Sequence, residues 1–287
     1  MFNRYILLIL ALVCYLSGNA QLSTSKLFFD HLTTEEGLAH NYILSIFQDE
    51  DGFVWLGSDN GLNRYDGQHI DILSSNTKPA LGGNRIRRII QDKSKTLWIL
   101  HENGLDMMDH YTQHIRSFLY GRELKKHILG FGLDDNGDLA AFTESDILLY
   151  NSNSGSFDIK QTAPANFLFS AFVKCGNRYY LGTRRHGIIV YNENWKLLEH
   201  IYPTSIQGGI LEDGLISLLR VDSNGSIWSV MAGLCIQKYD PVTRIVQTYP
   251  LSAHSVINRE VRDIIELNAD YMPVSYTHLR AHETELH

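Results

Sequence analysis

The chain has 287 residues, of which 44% are hydrophobic and 20% are charged, and this balance excludes an intrinsically disordered protein. Its net charge of −7 supplies no basic face, which disfavours a nucleic-acid partner. The aromatic share of 11%, with 15 Tyr and only 6 Pro, favours strands.

The first twenty residues have the features of a cleaved signal peptide. Arg4 supplies a positive charge, residues 6–16 form a mostly apolar run, and small residues precede Gln21. The run is shorter than the about 20 apolar residues that span a bilayer. An uncleaved N-terminal anchor is the alternative. We therefore expect residues 1–20 to be removed and the rest to be exported, on the periplasmic side of the inner membrane.

A repeated unit fills most of the remaining chain. Its first copy covers residues 41–66, with a β-rich segment, an Asp51-Gly52 turn, a short segment around Trp55 and a segment that ends at Asp66. The positions equivalent to Trp55 lie about 40 to 48 residues apart. They are residues 55, 98, 140, 180 and 228.

Each unit contains about four short strands, and this period is typical of a β-propeller blade. The sequence therefore predicts an all-β protein with one partial β-propeller domain over residues 21–272, in which five four-stranded blades and the start of a sixth form an incomplete ring. The expected blades are residues 27–80, 81–124, 125–163, 164–209 and 210–253, and the next one starts at 254–272.

A four-stranded blade cannot bury both apolar faces alone, so each blade needs a neighbour. We therefore interpret Trp55, Trp98 and Trp228 as inter-blade packing residues rather than sugar-stacking residues. Cys175 and Cys235 fall on different blades, and we expect them to remain unpaired.

No motif in the chain indicates catalysis, a metal site or a cofactor. The acidic segment 134–138 hints at a calcium loop, but Leu139 and Ser145 stand where an EF-hand needs Gly and Glu. We interpret this segment as a turn. The sequence therefore predicts no catalytic residues, no metal and no cofactor, and leaves open whether the parent is an enzyme.

Ligand-binding residues are predicted from blade geometry alone. Loops between the second and third strands of each blade, and loops between blades, open on one face around the central channel. Polar side chains of the first set suit the hydroxyls or carboxylates of an oligosaccharide, although a solvated rim is the alternative for each one. The candidates are Asp59, Asn60, His101, Glu102, Asn103, Glu144, Arg184, Arg185 and His186.

Three motifs, at residues 37–41, 51–58 and 61–66, resemble the two-component regulator propeller repeat, whose pattern is GLSxNxVxxIxxDxxGxLWIGTxxGLxRYD. The first blade matches closely, the second and fifth fairly, and the third and fourth loosely. The resemblance implies the periplasmic sensor half of a hybrid two-component sensor histidine kinase and response regulator from a Gram-negative glycan degrader. Such proteins carry two seven-bladed propellers, a β-sandwich and a membrane helix before their kinase, receiver and DNA-binding parts.

This sequence departs from that pattern after the fifth blade, because the phospho-accepting His, the ATP-binding segment and the receiver Asp have no counterpart. Residues 274–284 instead resemble a translated sequencing-library adapter. We therefore expect native sequence to end near Met272 and residues 273–287 to be a non-native tail.

The resemblance implies an oligosaccharide or other small-molecule ligand. It also implies a homodimeric parent, which is bound to the membrane only through its missing C-terminal part. Two other functions stay open: an exported carbohydrate-active propeller enzyme, either a lyase or a hydrolase, and an extracellular interaction scaffold.

Overall fold

The computed structural model describes residues 31–134, 136–201, 214–232, 235–250, 260–264, 266 and 274–277. The predicted signal peptide lies outside these residues, as does most of the predicted tail. All regular secondary structure in the described part is β-strand. None of its elements is a helix long and apolar enough to cross a membrane.

Five sheets of four strands follow one another along the chain. Their strands, in chain order, are β1 (Ile43–Gln48), β2 (Val54–Ser58), β3 (Gly61–Tyr65) and β4 (Ile70–Leu73) in blade 1; β5 (Ile86–Gln91), β6 (Leu97–His101), β7 (Gly104–Met108) and β8 (Ile115–Leu119) in blade 2; β9 (Gly130–Leu133), β10 (Leu139–Phe142), β11 (Asp146–Asn151) and β12 (Ser156–Thr162) in blade 3; β13 (Phe169–Cys175), β14 (Arg178–Thr183), β15 (Ile188–Asn192) and β16 (Leu197–Ile201) in blade 4; and β17 (Ile216–Val221), β18 (Ile227–Met231), β19 (Cys235–Tyr239) and β20 (Val246–Pro250) in blade 5.

Within each blade the strands pair in simple antiparallel sequence order. The first strand is innermost, and first strands of successive blades contact one another, as β1 does β5 and β13 does β17. The five blades form a ring, so the predicted all-β propeller fold is confirmed.

The core lies between blades. Trp55 is 2% exposed and packs with Ile86 and Ile89 of blade 2. Trp98 of blade 2 is fully buried and belongs to the same cluster as Phe131 of blade 3. These contacts remove both indole rings from solvent, so the inter-blade role predicted for the tryptophans is confirmed.

An aspartate holds the hairpin that joins the first two strands of a blade. In blade 1 one carboxylate oxygen of Asp49 accepts hydrogen bonds from the N–H groups of Asp51 and Phe53, and the other accepts the indole N–H of Trp55 at 2.7 Å. Equivalent indole bonds in blades 2 and 5 measure 2.8 and 2.9 Å. One side chain therefore fixes both the turn and the tryptophan rotamer.

Blade 3 keeps this turn without the tryptophan. Asp134 accepts backbone hydrogen bonds from Asn136 and Asp138, and Ala140 occupies the tryptophan position. The carboxylate of Asp134 is therefore engaged by its own backbone, and the turn predicted for residues 134–138 is confirmed.

Blade 1 presents an apolar residue on the face that other blades bury. Ile46 of β1 is 71% exposed. Its equivalents in blades 2, 4 and 5 are Ile89, Phe172 and Leu219, which are 6%, 5% and 1% exposed. In those blades the preceding blade covers the residue, and no blade precedes blade 1 among the described residues.

A two-stranded sheet follows blade 5. It pairs β21 (Glu260–Ile264) with β22 (Val274–Thr277) in antiparallel register. The expected sixth blade begins at β21, whereas β22 lies inside the segment that the sequence predicts to be non-native. Cys175 and Cys235 are both free.

Candidate functional site

Two sets of loops meet on one face of the propeller, which we call the loop face. The 2–3 loops join the second and third strands of a blade, and the 4–1 loops lead from one blade to the next. Backbone hydrogen bonds tie the two sets together: Gly61 donates to Asn84 at 2.7 Å, and Tyr120 donates to Asn103 at 3.0 Å. In blades 1 and 2 the 2–3 loop is thus fixed by the following 4–1 loop.

A pocket of about 380 Å³ opens on the loop face between blades 2 and 3. The 2–3 loop of blade 2 and the two flanking 4–1 loops build its walls. The lining residues are Gly82, Glu102, Asn103, Leu119, Tyr120, Arg122 and His127.

Glu102 is held in place by the 4–1 loop that precedes blade 2. Its two carboxylate oxygens accept hydrogen bonds from the backbone N–H groups of Asn84 at 3.1 Å and Arg85 at 2.8 Å. Burial opposes ionisation most strongly, but these backbone hydrogen bonds outweigh it and hold the pKa of Glu102 below its usual range. Glu102 is therefore a fixed carboxylate.

A buried histidine and aspartate support the pocket from beneath. His101 and Asp106 are both fully buried, with Nε2 and Oδ1 3.3 Å apart. Nδ1 of His101 accepts the N–H of Asn103, and the other oxygen of Asp106 accepts the N–H of Gly82 at 2.8 Å. Since Asn103 also donates to the carbonyl of Gly82, the pair positions two pocket-lining residues.

The opposite wall is the 4–1 loop between blades 2 and 3. Leu124 is 2% exposed and anchors this loop in the core. The Tyr120 hydroxyl accepts the N–H of Ile128 at 3.1 Å, and the His127 ring lies 4.1 Å from the Tyr120 ring. Burial raises the pKa of the Tyr120 phenol. The loop thus presents Arg122 and His127, both exposed, at the pocket rim.

The structure distributes the predicted site residues over the loop face. Glu102 and Asn103 lie together in the pocket, whereas His101 is buried beneath it and presents no surface to a ligand. Asp59 lies outside the pocket, in an ion pair of 2.8 Å with Arg85, and Asn60 is exposed beside it.

The remaining candidates cluster where blades 3 and 4 meet. Arg184 forms an ion pair with Glu144, and both side chains are half exposed. Arg185 is exposed, and the His186 ring lies 4.4 Å from the ring of Phe167. Since none of these residues lines the pocket, they form a separate part of the loop face.

Sequence reasoning missed five of the pocket residues: Gly82, Leu119, Tyr120, Arg122 and His127. A signal was present, because the 4–1 loops were expected on the same face as the 2–3 loops. The loop from residue 120 to 129 is also rich in basic residues. Among the residues that the structure describes, no group of three or more His, Cys, Asp or Glu is placed to hold a metal.

Blade 1 contains a match to a known protein family. Residues 37–60 match the family model described as two component regulator propeller. The first blade carries this repeat. The resemblance found in the sequence is therefore confirmed. The matched segment runs from the residues before β1, through β1, the Asp49 turn and β2, into the 2–3 loop of blade 1. No curated protein matches the chain.

Solved structures show the same fold. The extracellular domain of hybrid two component system BT3049 from B. thetaiotaomicron has a TM-score of 0.66 at 19% identity, over 86% of this chain and 34% of that one. The chain thus spans about a third of that domain. Virginiamycin B lyase from Staphylococcus aureus has a TM-score of 0.64 at 13% identity, over 82% and 77% of the two chains. PorZ, of the Porphyromonas gingivalis type-IX secretion system, has a TM-score of 0.64 at 14% identity, over 86% of this chain and 40% of that one.

Proposed function

We propose that this chain is part of the ligand-sensing propeller region of an exported hybrid two-component sensor, on the periplasmic side of the inner membrane. The observation that carries the proposal is the two component regulator propeller repeat at residues 37–60. The fold shared with extracellular domains of two component systems supports it.

The pocket between blades 2 and 3 is the proposed ligand site, and an oligosaccharide is the proposed ligand. Its lining combines an amide, a fixed carboxylate and an aromatic face, and these groups suit sugar hydroxyls and the apolar side of a sugar ring. Asn103 donates its amide N–H and its backbone N–H within the protein, and its side chain is exposed, so its amide oxygen is the group proposed to accept a sugar hydroxyl.

Ligand binding would signal by shifting the arrangement of paired propellers in a homodimeric parent. Such a shift requires a ligand with different affinities for the two arrangements. The rigid pocket floor supports this proposal, because a ligand that bridges the 2–3 loop and the 4–1 loop would couple blade 2 to blade 3.

Titration calorimetry with the full chain and a panel of neutral di- and tetrasaccharides tests the proposal. We expect Asn103→Ala to weaken binding by about tenfold, equivalent to about 1.4 kcal/mol. Asn153→Ala, an exposed amide in the opposite-face turn of blade 3, serves as the matched control and keeps the wild-type affinity. If no panel member binds, a neutral oligosaccharide is the wrong ligand class for this site.

The same panel tests the second cluster. Replacing Arg184, Arg185 and His186 together by Ala distinguishes a loop face that binds ligand at two places from one that uses the pocket alone. Unchanged affinity removes these three residues from the site. If neither this triple variant nor Asn103→Ala changes the affinity, the ligand site lies outside both the pocket and this cluster.

A lyase or hydrolase remains the alternative, since two lyases share the fold. Glycoside hydrolysis needs two carboxylates that flank the scissile bond. Among the described residues, Glu102 is the single carboxylate that lines the pocket, and both its oxygens accept hydrogen bonds from backbone N–H groups. Release of shortened or unsaturated products from the panel would favour the enzyme; absence of any small-molecule binding would favour an interaction scaffold.

A further inference from the structure

The loop that forms one wall of the pocket has more basic than acidic residues, although the whole chain has more acidic ones. The chain carries a net charge of −7. Between Tyr120 and Leu129, however, the loop contains the basic residues Arg122, Lys125 and Lys126 with His127, and only one acid, Glu123. Clustered charge of one sign beside a cleft raises the local concentration of ions of the opposite sign.

The acidic groups near this rim are already used by the protein. Both oxygens of Glu102 accept backbone hydrogen bonds. The carboxylate of Glu123 accepts the N–H of Leu119 at 2.9 Å, within its own loop. Asp146 is 4% exposed, and it pairs with Lys126 at 2.5 Å. These hydrogen bonds and the ion pair hold the three carboxylates in place, and each of them keeps its negative charge.

Two cations of the same region are exposed, and one of them, Arg122, also lies close enough to Glu123 to lower the pKa of that carboxyl group. Arg122 lines the pocket and is exposed, and Lys125 is exposed beside it. A third cation, Arg87 of β5, is exposed and lies close enough to favour ionisation of the Tyr120 phenol. An arginine at a pocket wall offers a planar pair of donors, which matches the two oxygens of a carboxylate or a sulfate.

We infer that the pocket between blades 2 and 3 takes an anionic ligand, and that the class is an oligosaccharide carrying a carboxylate or a sulfate group beside Arg122. The inference rests on the proposed ligand-sensing function and narrows its ligand class. Arg122 receives the anionic group, the Tyr120 and His127 rings form the adjacent aromatic wall, and Asn103 accepts a sugar hydroxyl.

The test compares three probes that share one sugar backbone: galactobiose, digalacturonic acid and a sulfated galactobiose. Calorimetry with the full chain is expected to show at least about tenfold tighter binding of one or both acidic probes than of galactobiose. Raising the salt concentration should lower the affinity for the acidic probes and leave the affinity for galactobiose unchanged. A uronate preference and a sulfate preference are distinguished by which acidic probe binds.

Arg122→Gln supplies the residue-level test, with Lys196→Gln as the matched control, since it removes one exposed cation from a turn of blade 4 on the opposite face. Arg122→Gln should abolish the preference for the acidic probe while Lys196→Gln retains it. Equal affinity of all three probes overturns this inference but leaves the sensing function intact. Failure of every neutral and acidic probe overturns the sensing function itself.

Discussion

Nε2 of His101 lies 3.3 Å from Oδ1 of Asp106, and neither side chain is exposed to solvent. Both atoms lack a well-aligned hydrogen bond, while the other polar atoms of the two side chains hold the N–H groups of Asn103 and Gly82. The pair is therefore the structural base of the pocket, and its loss should affect stability and ligand binding together.

Asp106→Ala tests this base. The change leaves the N–H of Gly82 without its carboxylate acceptor and isolates a buried His101. We therefore expect the free energy of unfolding, measured in urea, to fall by about 1 to 3 kcal/mol. Asp71→Ala is the control: its carboxylate is 68% exposed in a surface ion pair with Arg64, and the loss should stay below about 1 kcal/mol. Equal losses in the two variants would contradict a supporting role for the buried pair.

Asp222 should make stability depend on acid pH. Burial raises its pKa, but hydrogen bonds from Trp228, Lys238 and Ser226 lower it more, and the net pKa lies below the usual 3.8. Its carboxylate therefore stabilises the fold above pH 3.8, and this stabilisation disappears as the pH falls through the lowered folded value. Urea unfolding should show Asp222→Asn less stable than wild type at pH 7, with the gap narrowing near pH 3. Parallel pH curves would contradict the assignment.

Gly182 allows blades 4 and 5 to approach. A Cβ at this position of β14 would lie 2.6 Å from Cγ2 of Ile216 in β17. Gly182→Ala should therefore destabilise the protein by about 1 to 3 kcal/mol through overpacking. Ile216→Leu removes the branch that meets the new methyl group, so the double variant should recover part of the loss in a double-mutant cycle. Additive losses would show that the two positions are not in contact.

Cys175 and Cys235, the free cysteines in the described part of the chain, should react differently with thiol reagents. Burial raises the pKa of both thiols, which lowers the reactive thiolate fraction. Cys235 is 2% exposed, whereas Cys175 is partly exposed and its thiol donates to the carbonyl of Gly225. Under native conditions labelling should be slow at Cys175 and slower still at Cys235, and denaturant should equalise the two rates. Rapid native labelling of Cys235 would contradict the packing of β19.

The propeller could be predicted from sequence because its signals are local and repeated. The hairpin turn and the position of Trp55 recur at nearly constant spacing, with an indole at that position in blades 1, 2 and 5, and only stacked blades can bury such a pattern. The aspartate that holds the turn in blades 1, 2, 3 and 5 is also local, since in blade 1 it acts on residues two, four and six positions later.

The pocket could be predicted only in part. His101 looks like a rim residue in the sequence, but it ends β6 with its ring under Gly82 and Gly83, a contact made across 18 residues of chain. Arg122 and His127 lie in a 4–1 loop, whose length and chemistry vary between blades. No repeat position identifies them, so only the folded arrangement of the two loop sets brings them beside Glu102.

The turn at Asp134 keeps its backbone hydrogen bonds although alanine has replaced the tryptophan that Asp49 holds in blade 1. Closing the hairpin and filling the gap between blades are therefore separable tasks within one unit. A duplicated unit can consequently lose its large side chain by mutation and still fold as a blade. Blade 4 has Lys174 and Tyr180 at the aspartate and tryptophan positions, and its first hairpin closes through a shorter turn between Cys175 and Arg178. In evolutionary terms, the aspartate has outlasted the tryptophan in blade 3, so a degenerate copy of that kind is detectable by its turn rather than by its core.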